Sequence, residues 1–303
     1  MDLPVALNNK FASLISYTKE AQAKYGASAS SVIVIQDNKI VTEWYEGQHH
    51  FKSGAIQVTA DSMFNLYSTR KTYVGLATAI AVVEAKLSID TMVCDIVSDL
   101  SKSDLQDITI RDLATKSNAK FFGVERIERE EVACKLIKQL TGKNIAELIQ
   151  ERIFKPLELT HSEWVFIPKA NLVCDFQAAD GYASIRVESN EGHERNLYSS
   201  TRDLAYWGCL FLNEGKINGK QLVPSQVFEL IKQLRKDTED RKRIFGWYFK
   251  KNWYYATGAA GCHCVVVPEL NAVAVRMLNK YTENYLEDQT QFNETLYESL
   301  KSI

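Results

Sequence analysis

This chain of 303 residues is short of several things, and each shortage excludes a class of protein. No apolar run reaches membrane-spanning length, and the amino terminus, Met1-Asp2-Leu3-Pro4-Val5, lacks the basic stretch followed by an apolar segment that a secretory signal requires. The formal net charge is only −2, and no Lys/Arg block interrupts the sequence. Nucleic acid and anionic membrane surfaces are therefore not expected partners. The six cysteines, Cys94, Cys134, Cys174, Cys209, Cys262 and Cys264, are mostly far apart in apolar settings and read as core thiols of a reducing compartment. Together these features predict a cytoplasmic protein. Cys262-His263-Cys264 has no second Cys/His pair nearby, and strand alternation would send its cysteines to one face and His263 to the other, so no metal site is expected. Repeats and low-complexity segments are also missing. What remains is 46% hydrophobic residues, enough for a sizeable core in one large domain or two lobes.

The stretch from Met63 to Leu87 organises the chain. Apolar side chains continue from Ser68 on almost every face for several turns, which predicts a helix buried nearly all round. Its first turn carries the one polar cluster. Ser68 and Lys71 are three residues apart and so share a helical face, whereas Arg70 points elsewhere. A serine at a helix start lies beside free N–H groups and the positive end of the helix dipole, which favour an oxyanion. A lysine one turn inside a buried helix is desolvated, which disfavours its charged form. Bringing a lysine from about 10.4 to about 7 takes roughly 4 to 5 kcal/mol, feasible for a buried amine. Ser68 as nucleophile and Lys71 as its proton acceptor is then a chemically coherent pair. The alternative is an N-cap serine beside a snorkelling lysine. Two other Ser-x-x-Lys tetrads, Ser16 to Lys19 in an amphipathic helix and Ser117 to Lys120 near a turn, read as incidental.

In chain order, helical spacing runs from about Val5 to Tyr25, followed by a hairpin, Ser31 to Gln36 and Ile40 to Gly47, around Asp37-Asn38. A predominantly helical region follows. Thr109 and Asp112 form an acidic variant of a capping box, one helix closes at Gly142, the next ends at Pro156, and Ser200 and Ser225 cap two more. His49, His50 and His161 read as structural or surface residues. Strands are predicted at Phe245–Phe249, Trp253–Ala256, His263–Val267 and Ala272–Leu278, then a helix from about Glu283 to Leu300. This order implies an α+β fold in which helices from both ends cover one antiparallel sheet and a helical region is inserted between strands. The sheet region would take residues 1–56 and 244–303, and the helical region 57–243.

Several of these landmarks resemble the serine β-lactamase and penicillin-binding-protein-like family, in particular its class C β-lactamase and esterase branch. The matching residues are Ser68-x-x-Lys71, Ala85-Lys86-Leu87-Ser88-Ile89-Asp90, Ile108-Thr109-Ile110-Arg111-Asp112-Leu113, Leu140-Thr141-Gly142-Lys143, Ile153-Phe154-Lys155-Pro156-Leu157, Ser200-Thr201-Arg202-Asp203 and Ala256-Thr257-Gly258-Ala259, in the family's order. The resemblance implies a β-lactamase/transpeptidase-like fold, a Ser68 acyl-enzyme with Lys71 as proton acceptor, an oxyanion hole from the N–H groups of Ser68 and Ala259, substrate contacts at Thr257 and Gly258, and no cofactor. Two departures stand out. Where the family has Tyr-x-Asn, counting back from Gly142 lands on Glu125-Arg126-Ile127. The Lys-Thr-Gly or His-Thr-Gly motif is here Ala256-Thr257-Gly258. In the family the tyrosine assists proton transfer to the leaving group and the basic residue holds substrate carboxylates, so their loss argues against penicillin hydrolysis and peptidoglycan transpeptidation. Tyr67, Tyr182, Tyr254 or Tyr255 are candidates to supply the missing hydroxyl, although each is more often a packed aromatic, and Glu125 is a candidate neighbour of Lys71. The expected activity is a serine hydrolase or acyltransferase acting on a small-molecule ester or activated amide. The alternative is a catalytically silent relative that binds a small molecule or partner in the inherited cleft.

Overall fold

Strands buried on both faces read as unbroken apolar runs, and Ser31-Val32-Ile33-Val34-Ile35 is one. Val32 and Val34 pack against one helical layer, Ile33 and Ile35 against another. The computed structural model, which shows this arrangement, describes residues 3–98, 108–115, 129–175, 185–236, 243–282 and 284–302. In chain order α1 (Ala12–Tyr25) precedes β1 (Ala29–Gln36) and β2 (Lys39–Gly47). Next, β3 (Met63–Asn65) leads through a 3-10 turn (Tyr67–Arg70) into α2 (Lys71–Glu84). The helical region continues with α3 (Ile110–Thr115), α4 (Arg129–Thr141), α5 (Ile145–Ile149) and α6 (Lys155–Leu157). After β4 (Ser162–Trp164) and β5 (Leu197–Ser200) come α7 (Thr201–Leu212), the short hairpin β6 (Lys216–Ile217) and β7 (Lys220–Gln221), and α8 (Ser225–Lys236). The chain closes with β8 (Arg243–Ile244), β9 (Trp247–Phe249), β10 (Tyr254–Gly258), β11 (Cys262–Val267), β12 (Ala272–Leu278) and α9 (Tyr285–Lys301).

Seven of these strands form one antiparallel sheet in the order β2-β1-β12-β11-β10-β9-β8. Helices α1 and α9 cover one face through Phe11, Leu14, Phe292 and Leu296. The other face meets α7 and the helical region, where Tyr73 of α2 stacks on Trp207 of α7 with ring centroids 3.7 Å apart. Every residue of α2 from Thr72 to Val82 is buried, which accounts for its lack of a polar face. Asp37 and Asn38, both at positive φ, make the tight β1–β2 turn expected of that dipeptide. Thr109 and Asp112 exchange the capping hydrogen bonds the sequence predicts, and Ser200 accepts from the Asp203 N–H at 3.1 Å.

Three expectations are corrected. The first helix begins at Ala12 rather than near Val5, because residues from Pro4 to Asn8 run alongside β2 and exchange backbone hydrogen bonds with Ile40 and Val41. Phe245 to Phe249 is a hairpin rather than one strand: Phe245 and Gly246, at φ 47° and 90°, form the turn between β8 and β9. Pro156 does not end its helix. A π-helical turn over Gln150–Phe154 joins α5 to α6, and this wider register accommodates a proline that cannot donate the usual hydrogen bond. The helix stops instead at Glu158, in the left-handed conformation.

Candidate active site

Ser68 sits in the 3-10 turn that delivers the chain from β3 into α2, and sheet strands fix that turn from behind. Thr69 Oγ1 donates to the Cys262 carbonyl of β11 at 2.9 Å, and the Asn65 side chain accepts from the Tyr67 N–H at 2.8 Å. Tyr67 holds φ 48°, a strained value for a residue with a side chain, immediately before the serine. Gly258 at the end of β10 lies so close that a Cβ there would fall 2.6 Å from the Leu66 carbonyl oxygen and 2.9 Å from Tyr67 Cβ. The turn residue Ala259 follows it, its carbonyl accepting from the Thr282 N–H at 2.9 Å. The half-buried Ser68 hydroxyl has no hydrogen-bond partner among the described residues, and neither do the N–H groups of Ser68 and Ala259.

Lys71 opens α2 with its side chain 20% exposed, and its Nζ lies 3.5 Å from Oε1 of Glu130, on the first turn of α4. The same oxygen accepts from Arg129 at 3.1 Å. Burial pushes the Lys71 amine down from its usual value; the attraction of Glu130 resists, while Arg243, Arg70 and Arg129 push further down, and the balance falls at about 8. For Glu130 burial works toward protonation, but Lys71, Arg129 and Arg70 outweigh it and hold the carboxyl well below the usual carboxylate range. The site thus combines an acid held ionised with an amine whose proton affinity is lowered to about 8.

Other expected residues lie elsewhere. The Thr257 hydroxyl is turned to the α1/α9 side of the sheet, 2.9 Å from Nδ1 of His263, so that only its backbone borders the serine turn. His263 Nε2 reaches Asp288 at 3.0 Å, and Asp288 is bound by Arg276, giving a fully buried polar chain behind β10. Tyr255 faces the same side, stacked on Tyr248 with centroids 5.1 Å apart, and is not brought to Ser68. Tyr254 packs into the opposite core against Trp247 and Phe249, and the Tyr67 hydroxyl donates to buried Asp175. Tyr182 and Glu125 lie outside the described residues. Arg70 is 2% exposed, and its charge acts on the Lys71 amine. Glu130 was not among the predicted residues, although the sequence held a signal for it. Glu130, Cys134 and Ile137 fall on one face of α4, which makes Glu130 a lone acid on an otherwise apolar, buried stripe.

The model of the family described as Beta-lactamase matches residues 14–117 and 131–294 of this chain. An uncharacterized protein of Alkalihalophilus pseudofirmus is 30% identical over 338 residues, with all of both chains covered. Two solved structures share the fold, each with a TM-score of 0.73 and 14% identity. One, from Bacteroides dorei, is matched over 96% of this chain and 99% of its own. The other, a novel penicillin-binding protein homolog from Caulobacter crescentus, is matched over 99% and 100%. With a family match spanning most of the sequence, and a seven-stranded antiparallel sheet between terminal helices and a helical region, this chain belongs to the Beta-lactamase family, a superfamily of serine hydrolases.

Proposed function

We propose that the protein is a serine hydrolase or acyltransferase that cleaves a small ester or activated amide through an acyl-enzyme on Ser68. One observation supports this reading: the amine three residues past the serine is buried and its proton affinity is lowered to about 8 from 10.5, the range in which an amine can serve as a base near physiological pH. In the first step the neutral Lys71 amine takes the Ser68 proton as Oγ bonds to the substrate carbonyl carbon. The resulting oxyanion is met by the unengaged N–H groups of Ser68 and Ala259. Collapse breaks the bond to the leaving group, which takes its proton from the Lys71 ammonium. Water or another acceptor then attacks the acyl-enzyme and frees the serine. Ester leaving groups need less protonic assistance than amides, in keeping with the engagement of Tyr67 by Asp175 and the placement of Tyr254 and Tyr255 in packing positions.

A binding-only role is the second reading, and the Glu130 ion pair favours it, since it keeps most of Lys71 charged at pH 7. A fluorophosphonate probe separates the two. Mass spectrometry is expected to find one adduct on the peptide carrying Ser68, absent in Ser68→Ala and slowed strongly in Lys71→Ala. An unlabelled wild-type protein, or labelling that survives Ser68→Ala, would discard the acyl-enzyme. A p-nitrophenyl ester series of rising acyl length then measures the acyl pocket.

A further inference from the structure

One turn beyond Glu130 on α4, a second group of reactive side chains has no part in the serine chemistry. Cys134 Sγ, the Glu191 carboxylate and a His193 ring nitrogen all lie within 4.8 Å of one another. Nδ1 of His193 stands 3.8 Å from Glu191 Oε2, is buried, and makes no hydrogen bond. A buried imidazole nitrogen without a partner carries a desolvation cost that a ligand would remove.

The backbone around these side chains is held in place. The Glu191 carbonyl accepts from the Ala146 N–H at the start of α5 at 3.3 Å and lies 3.8 Å from Cys134 Sγ. Gly192 takes φ 99°, and a Cβ there would come within 2.6 Å of Ala146 N and Ile145 Cβ, so the Glu191-Gly192-His193 segment is seated directly against α5. Two of the three ligand positions therefore sit on a segment docked to α5, and the third on the buried face of α4.

We propose that Cys134, Glu191 and His193 form a binding site for a borderline divalent cation of the Zn²⁺ type. One thiolate, one imidazole and one carboxylate is a donor set suited to Zn²⁺, whereas Mg²⁺ and Ca²⁺ call for oxygen ligands alone. Ordinary bond lengths of about 2.0 to 2.3 Å put tetrahedral ligand atoms roughly 3.3 to 3.6 Å apart, so the side chains, with Glu191 half exposed, would draw in from separations that all lie within 4.8 Å. Three protein ligands leave the fourth position to water. Binding forms the metal–sulfur bond and releases the Cys134 thiol proton to solvent, with no redox change. The ion would clamp the first half of α4 to the 191–193 segment, and α4 carries the carboxylate that pairs with Lys71. The site does not depend on the Ser68 chemistry, so its test is independent of that reading.

The test is a titration of the chelator-treated full-length protein with Co²⁺, with Zn²⁺ competition to obtain the affinity. The expected result is one equivalent bound, with a near-ultraviolet thiolate-to-cobalt charge-transfer band and visible bands of tetrahedral intensity. Cys134→Ser is expected to abolish the charge-transfer band, and Glu191→Gln and His193→Ala to weaken Zn²⁺ by about 100-fold or more. His193 lies on a surface segment, so His193→Ala carries the prediction even if Cys134→Ser fails to fold. A featureless cobalt spectrum, or Zn²⁺ affinity unchanged by His193→Ala, would overturn the site.

Discussion

Replacing Glu130 with glutamine removes the carboxylate that pairs with Lys71 among the described residues and keeps the side chain's shape. At 3.5 Å a unit-charge pair is worth about 1.2 kcal/mol at the dielectric of water and about 4.7 kcal/mol at an effective value of 20. With Lys71 only 20% exposed, the lower figure is a floor, and at about 1.4 kcal/mol per pH unit it corresponds to a drop of about 0.9 unit or more. The amine should therefore move from about 8 to about 7 or below. At pH 6.5 this raises the neutral share of Lys71 from about 3% to about 24%, an eightfold gain, less what the weaker base gives back in proton affinity. The assay is the second-order rate of fluorophosphonate labelling against pH, which follows serine activation without any assumption about substrate. Glu130→Gln should shift the rising limb of that profile toward acid and label faster than wild type below pH 7. A limb that stays near pH 8, or shifts upward, would show that Lys71 is not the base or that Glu130 does not set its proton affinity.

Removing a cation should act in the opposite sense: Arg243→Gln is expected to move the same limb upward, by less than Glu130→Gln moves it down, because Glu130 is the larger influence on the amine. Gly258→Ala would drive a methyl group into the Leu66 carbonyl and Tyr67, and should cost about 1 to 3 kcal/mol in urea denaturation while slowing Ser68 labelling. Stability should also fall on acidification. Burial, with help from Arg276 and against Asp288, holds His263 at about 4 instead of 6.5, so the native state binds fewer protons than the unfolded chain across that window. Unfolding free energy should drop by up to about 3 kcal/mol between pH 6.5 and pH 4, read as a falling urea midpoint, and a flat midpoint over that range would contradict the buried neutral imidazole.

Much of the fold was legible because its signals are local. The doubly apolar runs of β1 and β12, the Asp37-Asn38 turn, the Thr109–Asp112 and Ser200–Asp203 caps and the all-round burial of α2 each depend on residues a few positions apart. The Phe245-Gly246 turn was harder to read, since positive φ at phenylalanine has no signature in composition; it follows from the seating of that turn on α2, where a Cβ at Gly246 would lie 2.4 Å from the Lys71 carbonyl oxygen. Pro156 misled for the same kind of reason, as a π-turn upstream absorbed its missing donor. In the candidate site, spacing put Ser68 and Lys71 on one helical face, but two other Ser-x-x-Lys tetrads share that spacing, and the series of family-like motifs is what singled this pair out. Arg129 and Arg243 carried no such signal, because their effect on the amine comes from helices and strands brought together across the fold, and Glu130 showed only as a lone acid on an apolar helix face. The Thr257 hydroxyl was misassigned because motif position fixes a strand's place but not which face a side chain takes; alternation from Gly258, pressed against Leu66, places it on the far side.

The turn end of the β2 margin is covered by residues 4–8, since Pro4, Ala6 and Asn8 occupy hydrogen-bonding groups of Ile40 and Val41. Exposed strand margins recruit further strands, from neighbours as readily as from the same molecule. A chain trimmed to Asn9 would keep α1, the sheet and the serine turn, yet it would leave the donors and acceptors of Ile40 and Val41 bare at that margin. Loss of a few inconspicuous residues would then appear first as self-association, well before any loss of helix or of the serine turn's geometry.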